Sequence, residues 1–155
     1  MRVNDIMTCT PFTIDPDAPL GTALAAMRQH QVRHLPVLDD KRRLVGMITD
    51  RDLRGVIIAP ALEEHLSRSA RRRLRGLGAT IDSLRVRDVM TWNVVTIEPD
   101  ATLGRAAALM FEERIGSLPV VANGELVGIV TERDALKALV TAIPAVRTID
   151  PGLLW

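Results

Sequence analysis

Two short stretches of the chain carry the same groups that can bind a ligand. Both have the form Gly-h-h-Thr-x-Arg-Asp, where h is apolar, at residues 46–52 and 128–134. Their polar members are Thr49, Arg51, Asp52, Thr131, Arg133 and Asp134. A carboxylate three residues after a threonine is the pattern of a capping box, which joins the two side chains at the start of a helix. A helix start also presents free backbone N–H groups and a positive dipole end, which attract anions.

Two readings of these stretches follow from the spacing. The carboxylate is suited to a ribose diol and the arginine to a phosphate, so each stretch predicts a nucleotide site. The same residues also satisfy a helix cap that has no ligand. On local spacing alone the two readings carry about equal weight.

A buried strand followed by a helix must position these groups. Residues 44–48 and 126–130 are apolar and partly β-branched, which indicates the strand, and the charged residues after each threonine open the helix. The pattern predicts two earlier strands in each copy, at 12–14 and 34–38 and at 94–97 and 117–121. Apolar residues at helical spacing from Leu20 and from Leu103 predict a helix between those strands. Asn123-Gly124 predicts a tight hairpin.

The two stretches belong to a tandem duplication. Residues 5–38 align with residues 88–121 at an offset of 83, and 16 of these 34 positions are identical. One residue is then lost, so that Gly46 aligns with Gly128 at an offset of 82. The predicted boundaries are a first repeat at 1–59, a basic helical linker at 60–84, a second repeat at 85–143 and a C-terminal tail at 144–155.

Composition limits the class of protein. The chain has 155 residues, 47% of them hydrophobic, and a formal net charge of +1, so no global field demands a polyanionic partner. The single cysteine, Cys9, excludes an internal disulfide framework. We find no signal segment and no apolar run long enough to span a membrane, and we expect a soluble cytoplasmic protein.

Three motifs, each present twice and in the same order, resemble those of a cystathionine β-synthase (CBS) domain pair, or Bateman module. They are Val-x-Asp-(Ile/Val)-Met-Thr at 3–8 and 86–91, Leu-Pro-Val at 35–37 and 118–120, and the two Thr-x-Arg-Asp stretches. The resemblance implies an α/β (α+β) fold of two β-α-β-β-α repeats, packed as a pseudo-twofold pair with two clefts. It also implies a regulatory homodimer that senses AMP, ADP, ATP or S-adenosylmethionine and signals to a protein partner.

The resemblance also implies the roles of individual residues. Asp52 and Asp134 would accept hydrogen bonds from ribose hydroxyls, and Thr49 and Thr131 would bind ribose or phosphate. Arg33-His34, with Arg51 and Arg133, would reach phosphate, but the second repeat has Gly116-Ser117 in place of Arg33-His34, which makes the clefts unequal. Adenine would lie between apolar strand residues and be read by nearby backbone. The remaining members of the predicted site are Thr13, Ile14, Thr96, Ile97 and Ser117.

A competing class is a structural or protein-interaction module with empty clefts. The basic linker, with Arg71, Arg72, Arg73 and Arg75, could contact nucleic acid, but no nucleic-acid motif accompanies it and a solvated helix face is the favoured reading. The histidines lack metal-ligand spacing and Cys9 lacks the surroundings of a nucleophile. We therefore expect a non-enzymatic module without a metal or cofactor.

Overall fold

The computed structural model describes residues 1–62 and 84–142, with the side chains of residues 57–62 excepted. The predicted tail and almost all of the predicted linker lie outside the described residues. The chain forms two compact units, each built from both sequence repeats. The first unit is Pro11–Val94, and the second is Met1–Thr10 together with the chain from Val95 onward.

The first unit combines a three-stranded antiparallel sheet with helices. Its elements are α1 (Leu20–His30), β2 (His34–Leu38), β3 (Leu44–Thr49), α2 (Asp50–Leu62), α3 (Val86–Val89) and β4 (Thr91–Trp92). The strand order is β2-β3-β4, so β3 is central. Leu20, Ala23 and Met27 of α1 are buried against the sheet, as the helical spacing predicted.

The second unit repeats this arrangement. Its elements are a 3₁₀ turn (Val3–Asp5), β1 (Thr8–Cys9), α4 (Leu103–Glu113), β5 (Ser117–Ala122), β6 (Glu125–Thr131) and α5 (Glu132–Ala142). The strand order is β1-β6-β5, so β6 is central. The predicted fold class, α+β with two related units, is confirmed. None of the described helices is long and apolar enough to cross a membrane.

The hairpins of the two units use different turn chemistry. Asn123 and Gly124 both have positive φ, 51° and 83°, which gives the tight two-residue turn that their sequence predicted. The turn between β2 and β3 is held instead by Asp39, whose carboxylate accepts hydrogen bonds from the backbone N–H groups of Lys41 and Arg43. The Arg43 guanidinium also donates to this carboxylate, and it lowers the pKa of Asp39.

The first strand of each repeat does not lie where the apolar pattern placed it. The short strands are Thr8–Cys9 and Thr91–Trp92, rather than 12–14 and 94–97. Thr10 and Asn93 then adopt positive φ, 49° and 53°, which turns the chain out of the strand direction in both copies. In the segments 12–14 and 94–97, only one residue of each copy pairs with the neighbouring strand, through a single parallel bridge.

The beginning of the first repeat packs into the second unit. We call this segment, Met1–Thr10, the lead-in of the first repeat. The backbone N–H of Val3 donates to the carbonyl of Ala101 at 2.9 Å, and Asn4 donates to Pro99 at 2.9 Å. The Arg2 guanidinium donates to the carbonyl of Asp100 at 2.6 Å. The lead-in of the first repeat therefore docks on the Pro-Asp turn of the second repeat.

The lead-in of the second repeat, residues 85–94, makes the reciprocal contacts in the first unit. Val86 N–H donates to the carbonyl of Ala18 at 3.0 Å, and the Arg85 guanidinium donates to the carbonyl of Asp17 at 2.7 Å. Arg87 forms an ion pair with the Asp17 carboxylate. The predicted boundaries at 59 and 85 divide the chain by sequence repeat, whereas each packed unit takes its lead-in from the other repeat.

Glycine in the central strand is required by this exchange. A Cβ atom at Gly46 would lie 2.7 Å from the Sδ atom of Met90 and 2.8 Å from the carbonyl oxygen of Thr91, both in the exchanged lead-in. At Gly128 the corresponding distances are 2.6 Å to Met7 and 3.0 Å to Thr8. The lead-in strand can pair with the central strand only because no side chain stands between them.

We predict that Gly46→Ala lowers the free energy of unfolding by about 1–3 kcal/mol, because the close contact includes a backbone oxygen that cannot turn away. Urea denaturation checks this. The matched control is Gly55→Ala, where a Cβ meets nothing within 4 Å inside α2. That variant should be unchanged or more stable by about 0.5–1 kcal/mol. Equal stability of the two variants would contradict the close approach.

Candidate functional site

The strand–helix corner of the first unit lies where β3 ends and α2 begins. Asp52 Oδ2 accepts two hydrogen bonds from Thr49, at 2.8 Å from the backbone N–H and 2.7 Å from the hydroxyl. The Asp52 N–H lies 3.4 Å from the Thr49 hydroxyl oxygen and donates to it. The capping box predicted from the sequence is therefore present, and it fixes the position of a half-buried carboxylate.

The second unit has the same corner between β6 and α5. Asp134 Oδ2 accepts from the Thr131 N–H at 2.9 Å and from the Thr131 hydroxyl at 2.7 Å. The Asp134 N–H donates to that hydroxyl at 3.3 Å. The sequence difference between the two copies, Glu132 in place of Asp50, leaves this geometry unchanged.

The hydrogen bonds decide what each side chain can offer a ligand. A carboxylate only accepts, so the hydroxyl proton of Thr49 must point at Asp52 and is not available to a phosphate. Thr49 therefore positions the carboxylate, and the same holds for Thr131. Within the described part of the chain no donor reaches Oδ1 of Asp52 or Asp134. Each corner thus keeps one fixed acceptor oxygen for a hydroxyl group.

Some of the backbone N–H groups at the start of α2 already have hydrogen-bond acceptors. Asp50 N–H donates to the carbonyl of Arg33 at 3.0 Å, and Asp52 N–H donates to Thr49. The Arg51 N–H remains as the donor at this corner for which the described residues supply no acceptor. A donor and a carboxylate acceptor therefore stand one residue apart, an arrangement that suits a hydroxyl or a phosphate ester oxygen.

Arg33 and His34 lie at the first corner. His34 stands opposite Thr49 in the β2–β3 register, and the Arg33 carbonyl anchors the first helical N–H. The Arg33 and Arg51 side chains are exposed and form no ion pair with any described residue. The first corner consequently carries two exposed arginines, and guanidinium groups are suited to neutralise a phosphate.

The second corner is less basic. Ser117 stands opposite Thr131 in the β5–β6 register and is buried, and the Gly116 carbonyl accepts from Glu132 N–H at 3.1 Å. Arg133 is exposed at the helix start. Glycine and serine thus occupy the positions of Arg33 and His34, and one guanidinium group replaces two.

The predicted adenine-reading residues take two different positions. Ile14 is buried in the core of the first unit, its N–H donates to Pro36 at 3.0 Å, and its carbonyl accepts from Leu38 at 3.0 Å. Ile97 makes the equivalent bonds in the second unit. The backbone groups of both isoleucines thus bond within their own units, and the expectation that the backbone near 12–14 or 95–97 reads adenine stays a prediction. Thr13 and Thr96 are exposed, and no described hydrogen bond joins them to the corners.

Two features escaped the sequence analysis. The Phe12 ring stacks on the His30 imidazole with centroids 3.6 Å apart, whereas Val95 and Glu113 occupy the equivalent positions of the second copy. The docking of the lead-ins was also missed. The sequence feature that could have indicated this docking is the Arg-Val-x-Asp shared by residues 2–5 and 85–88. In the structure the arginine of each copy donates a hydrogen bond to a backbone carbonyl.

The family of the chain follows from comparison with known proteins. The family model for the CBS domain matches residues 3–59 and again residues 86–141. The chain therefore belongs to the CBS domain family and is a tandem pair, the arrangement called a Bateman module. It is 36% identical over 146 residues to a CBS domain-containing protein of Dictyostelium discoideum, covering 93% of this chain and 94% of that protein.

Another relative is an enzyme, and the chain matches part of its length. The chain is 31% identical over 137 residues to the inosine-5′-monophosphate dehydrogenase of Methanocaldococcus jannaschii. The match covers 88% of this chain but 23% of the dehydrogenase. The similarity therefore concerns only a small part of that enzyme.

Solved structures share the fold and contain ligands. The structure of CBSX2 in complex with AMP matches with a TM-score of 0.72 and 28% identity, covering 91% of this chain and 97% of that one. The CBS domain pair of protein MJ0100, in complex with 5′-methylthioadenosine and S-adenosyl-L-methionine, matches with a TM-score of 0.69 and 25% identity. That match covers 90% of this chain and 99% of the other. Both neighbours bind molecules that contain adenosine.

We predict that Thr49→Val lowers the free energy of unfolding by about 0.5–2 kcal/mol, because the helix loses its cap and Asp52 loses a hydrogen bond. Thr49→Ser keeps the hydroxyl and should unfold close to the wild type. Chemical denaturation without ligand measures both. If the valine variant were as stable as the serine variant, the bonds between Thr49 and Asp52 would not contribute to stability.

Proposed function

We propose that this CBS domain pair is a regulatory module that binds adenosine-containing nucleotides at its two strand–helix corners. The observation that carries the proposal is the fixed carboxylate, which occurs in both units with one oxygen held by threonine and the other open. The two hydroxyl groups of a ribose are donors, and charge-assisted bonds to a carboxylate are stronger than neutral ones. The adenosine ligands of the two neighbouring structures support this choice of ligand.

The proposed ligands are AMP, ADP, ATP and S-adenosylmethionine, and the two corners should differ in preference. The first corner has Arg33 and Arg51 exposed near Asp52, so additional phosphate groups should strengthen binding there. The second corner has Gly116 and Ser117 at the equivalent positions, so it should favour ligands with little negative charge. The first corner should therefore also show the greater loss of affinity with added salt.

We predict that Asp52→Asn and Asp134→Asn each weaken nucleotide binding by about tenfold or more, equivalent to about 1.5–3 kcal/mol. An amide retains one acceptor oxygen but loses the charge, so the unfolding temperature without ligand should change little. Titration calorimetry with adenosine, AMP and ATP measures the effect. Thr49→Val should lower both affinity and stability.

The matched control is Asp88→Asn. Asp88 accepts the Arg85 N–H at 2.8 Å and caps α3, so it has the same structural role in a lead-in helix. Its substitution should leave nucleotide affinity unchanged. If the wild type bound none of the three ligands, or if neither corner variant altered binding, the carboxylates would be caps alone and the module would be structural.

The second part of the proposal is that the module forms a homodimer. A regulatory module must transmit ligand binding to another surface, and the interface of a dimer is such a surface. The exposed large apolar side chains of the second unit include four on its two helices, Phe111, Leu136, Leu139 and Val140. Apolar groups concentrated on one pair of helices are typical of an interface.

We expect light scattering to give the mass of a dimer at tens of micromolar chain. The apolar helical faces are covered in that state, which the hydrophobic effect favours. Addition of AMP or ATP should leave the mass unchanged. A monomer mass across that concentration range would contradict the homodimer but would leave nucleotide binding to be judged by calorimetry.

A further inference from the structure

The chain passes from one unit to the other at two points, and a residue with positive φ lies at each. It leaves the second unit after Thr10 and returns to it at Val95. Thr10 has a φ of 49°, and Asn93, which lies shortly before the return, has a φ of 53°. The lead-in of the first repeat is therefore joined to the first unit through a residue in left-handed backbone.

The residues at the two crossings are not equally suited to this backbone. Asparagine adopts the left-handed region more readily than most residues, whereas a β-branched residue there is an outlier. Thr10 is β-branched and precedes Pro11, and a proline favours extended backbone in the residue before it. An extended Thr10 would relieve this strain, but it would also direct the lead-in away from the place that it occupies in the second unit.

The second unit holds the lead-in through backbone hydrogen bonds and a buried valine. The N–H of Val3 donates to Ala101 and the N–H of Asn4 donates to Pro99, both at 2.9 Å. The Val3 side chain is fully buried, and β1 pairs with β6. We call residues 99–103 together with β6 the lead-in site. Because these contacts are all made with residues 1–10, any copy of the chain that supplies this segment can complete the site.

The equivalent contacts of the first unit show how little of the sequence this recognition requires. Val86 N–H donates to Ala18 at 3.0 Å, and Arg87 N–H donates to Pro16 at 2.9 Å, at the same positions of the repeat. Asparagine in one lead-in and arginine in the other thus make the same bond, because only the backbone takes part. The lead-in is recognised as a short segment and not by the polypeptide to which it belongs.

We propose that the lead-in site of one copy of this chain accepts the lead-in of a second copy. A strained hinge and an element that fits an identical site in another chain are the two conditions that favour such a transfer. The partner is therefore a second copy, and it contributes Met1–Thr10 to a unit that is incomplete without that segment. This inference goes beyond nucleotide binding and involves neither the corners nor the apolar helical faces.

Complementation between two variants tests the transfer. Val3→Asp places a carboxylate at a fully buried position, so this chain has a defective lead-in and an intact lead-in site. Gly128→Val places a side chain where Met7 and the Thr8 carbonyl lie, so this chain has an intact lead-in and a blocked site. Refolding the two together from urea should let the second chain complete the first.

Amide hydrogen exchange of β6 measures the result, with one chain isotopically labelled so that the two are read separately. Protection should rise about tenfold or more in the Val3→Asp chain, relative to that variant refolded alone, and should not rise in the Gly128→Val chain. Joint refolding means that neither variant has to fold by itself. Contact through helical faces alone leaves the lead-in site empty and restores no protection.

The matched control replaces the donor chain by the double variant Val3→Asp with Gly128→Val, which has no intact lead-in to offer. This mixture should show no recovery. If the first mixture also shows none, or if both mixtures recover equally, the transfer is overturned. Calorimetry with AMP on the wild type is independent of this result, so the nucleotide sites are judged separately.

The contribution of the hinge has its own readout. Wild-type chain refolded from urea at high concentration should retain a dimer fraction after dilution, because transferred lead-ins separate only when they leave their sites. Thr10→Asn, which copies Asn93, should lower that fraction about fivefold or more, whereas Thr10→Val keeps the β-branch and should not. A wild type without a persisting dimer, or equal fractions in the two variants, would overturn the role of hinge strain.

Discussion

The close backbone approach between an exchanged lead-in strand and a glycine of the central strand is the constraint on which the rest of each unit depends. Strand β4 can pair with β3 because Gly46 leaves room for the Thr91 carbonyl and the Met90 thioether. The pairing makes β3 the central strand, and β6 is central in the other unit for the same reason. Each central strand ends at the threonine of a strand–helix corner. The polar groups of the corner therefore lie at the end of a strand that is hydrogen-bonded to neighbours on both sides.

A single carboxylate at each corner can serve both stability and binding because its two oxygens have different surroundings. Oδ2 of Asp52 is held by the backbone and hydroxyl of Thr49, which fixes the rotamer before any ligand arrives. Oδ1 is then presented in one position, and a ligand does not have to order it. The same cap would also stabilise the start of the helix in a module that binds nothing.

Local chemistry could be predicted from the sequence where neighbours along the chain determine it. The bond between Thr49 and Asp52 and the Asn123-Gly124 turn are of this kind, and the fold class was implied by the resemblance to a CBS domain pair. The exchange of lead-ins could not be predicted, because Val3 and Val86 stand in nearly identical segments and either one fits either turn. The strand at 8–9 was missed because apolar residues follow at 12–14, whereas the positive φ of Thr10 has no signal in its residue type.

The exchanged lead-ins also bear on the origin of the chain. A protein with one repeat would hold its Arg-Val-x-Asp segment and its central strand in the same polypeptide, yet each unit here takes them from different repeats. Two such single-repeat chains would reproduce the units seen here by trading segments, at a rate and affinity set by their concentration. Joining the two repeats in one chain makes the trade intramolecular, which removes its dependence on the concentration of the protein. Fusion thus makes assembly independent of expression level, and it allows the two corners to diverge while their shared scaffold is preserved.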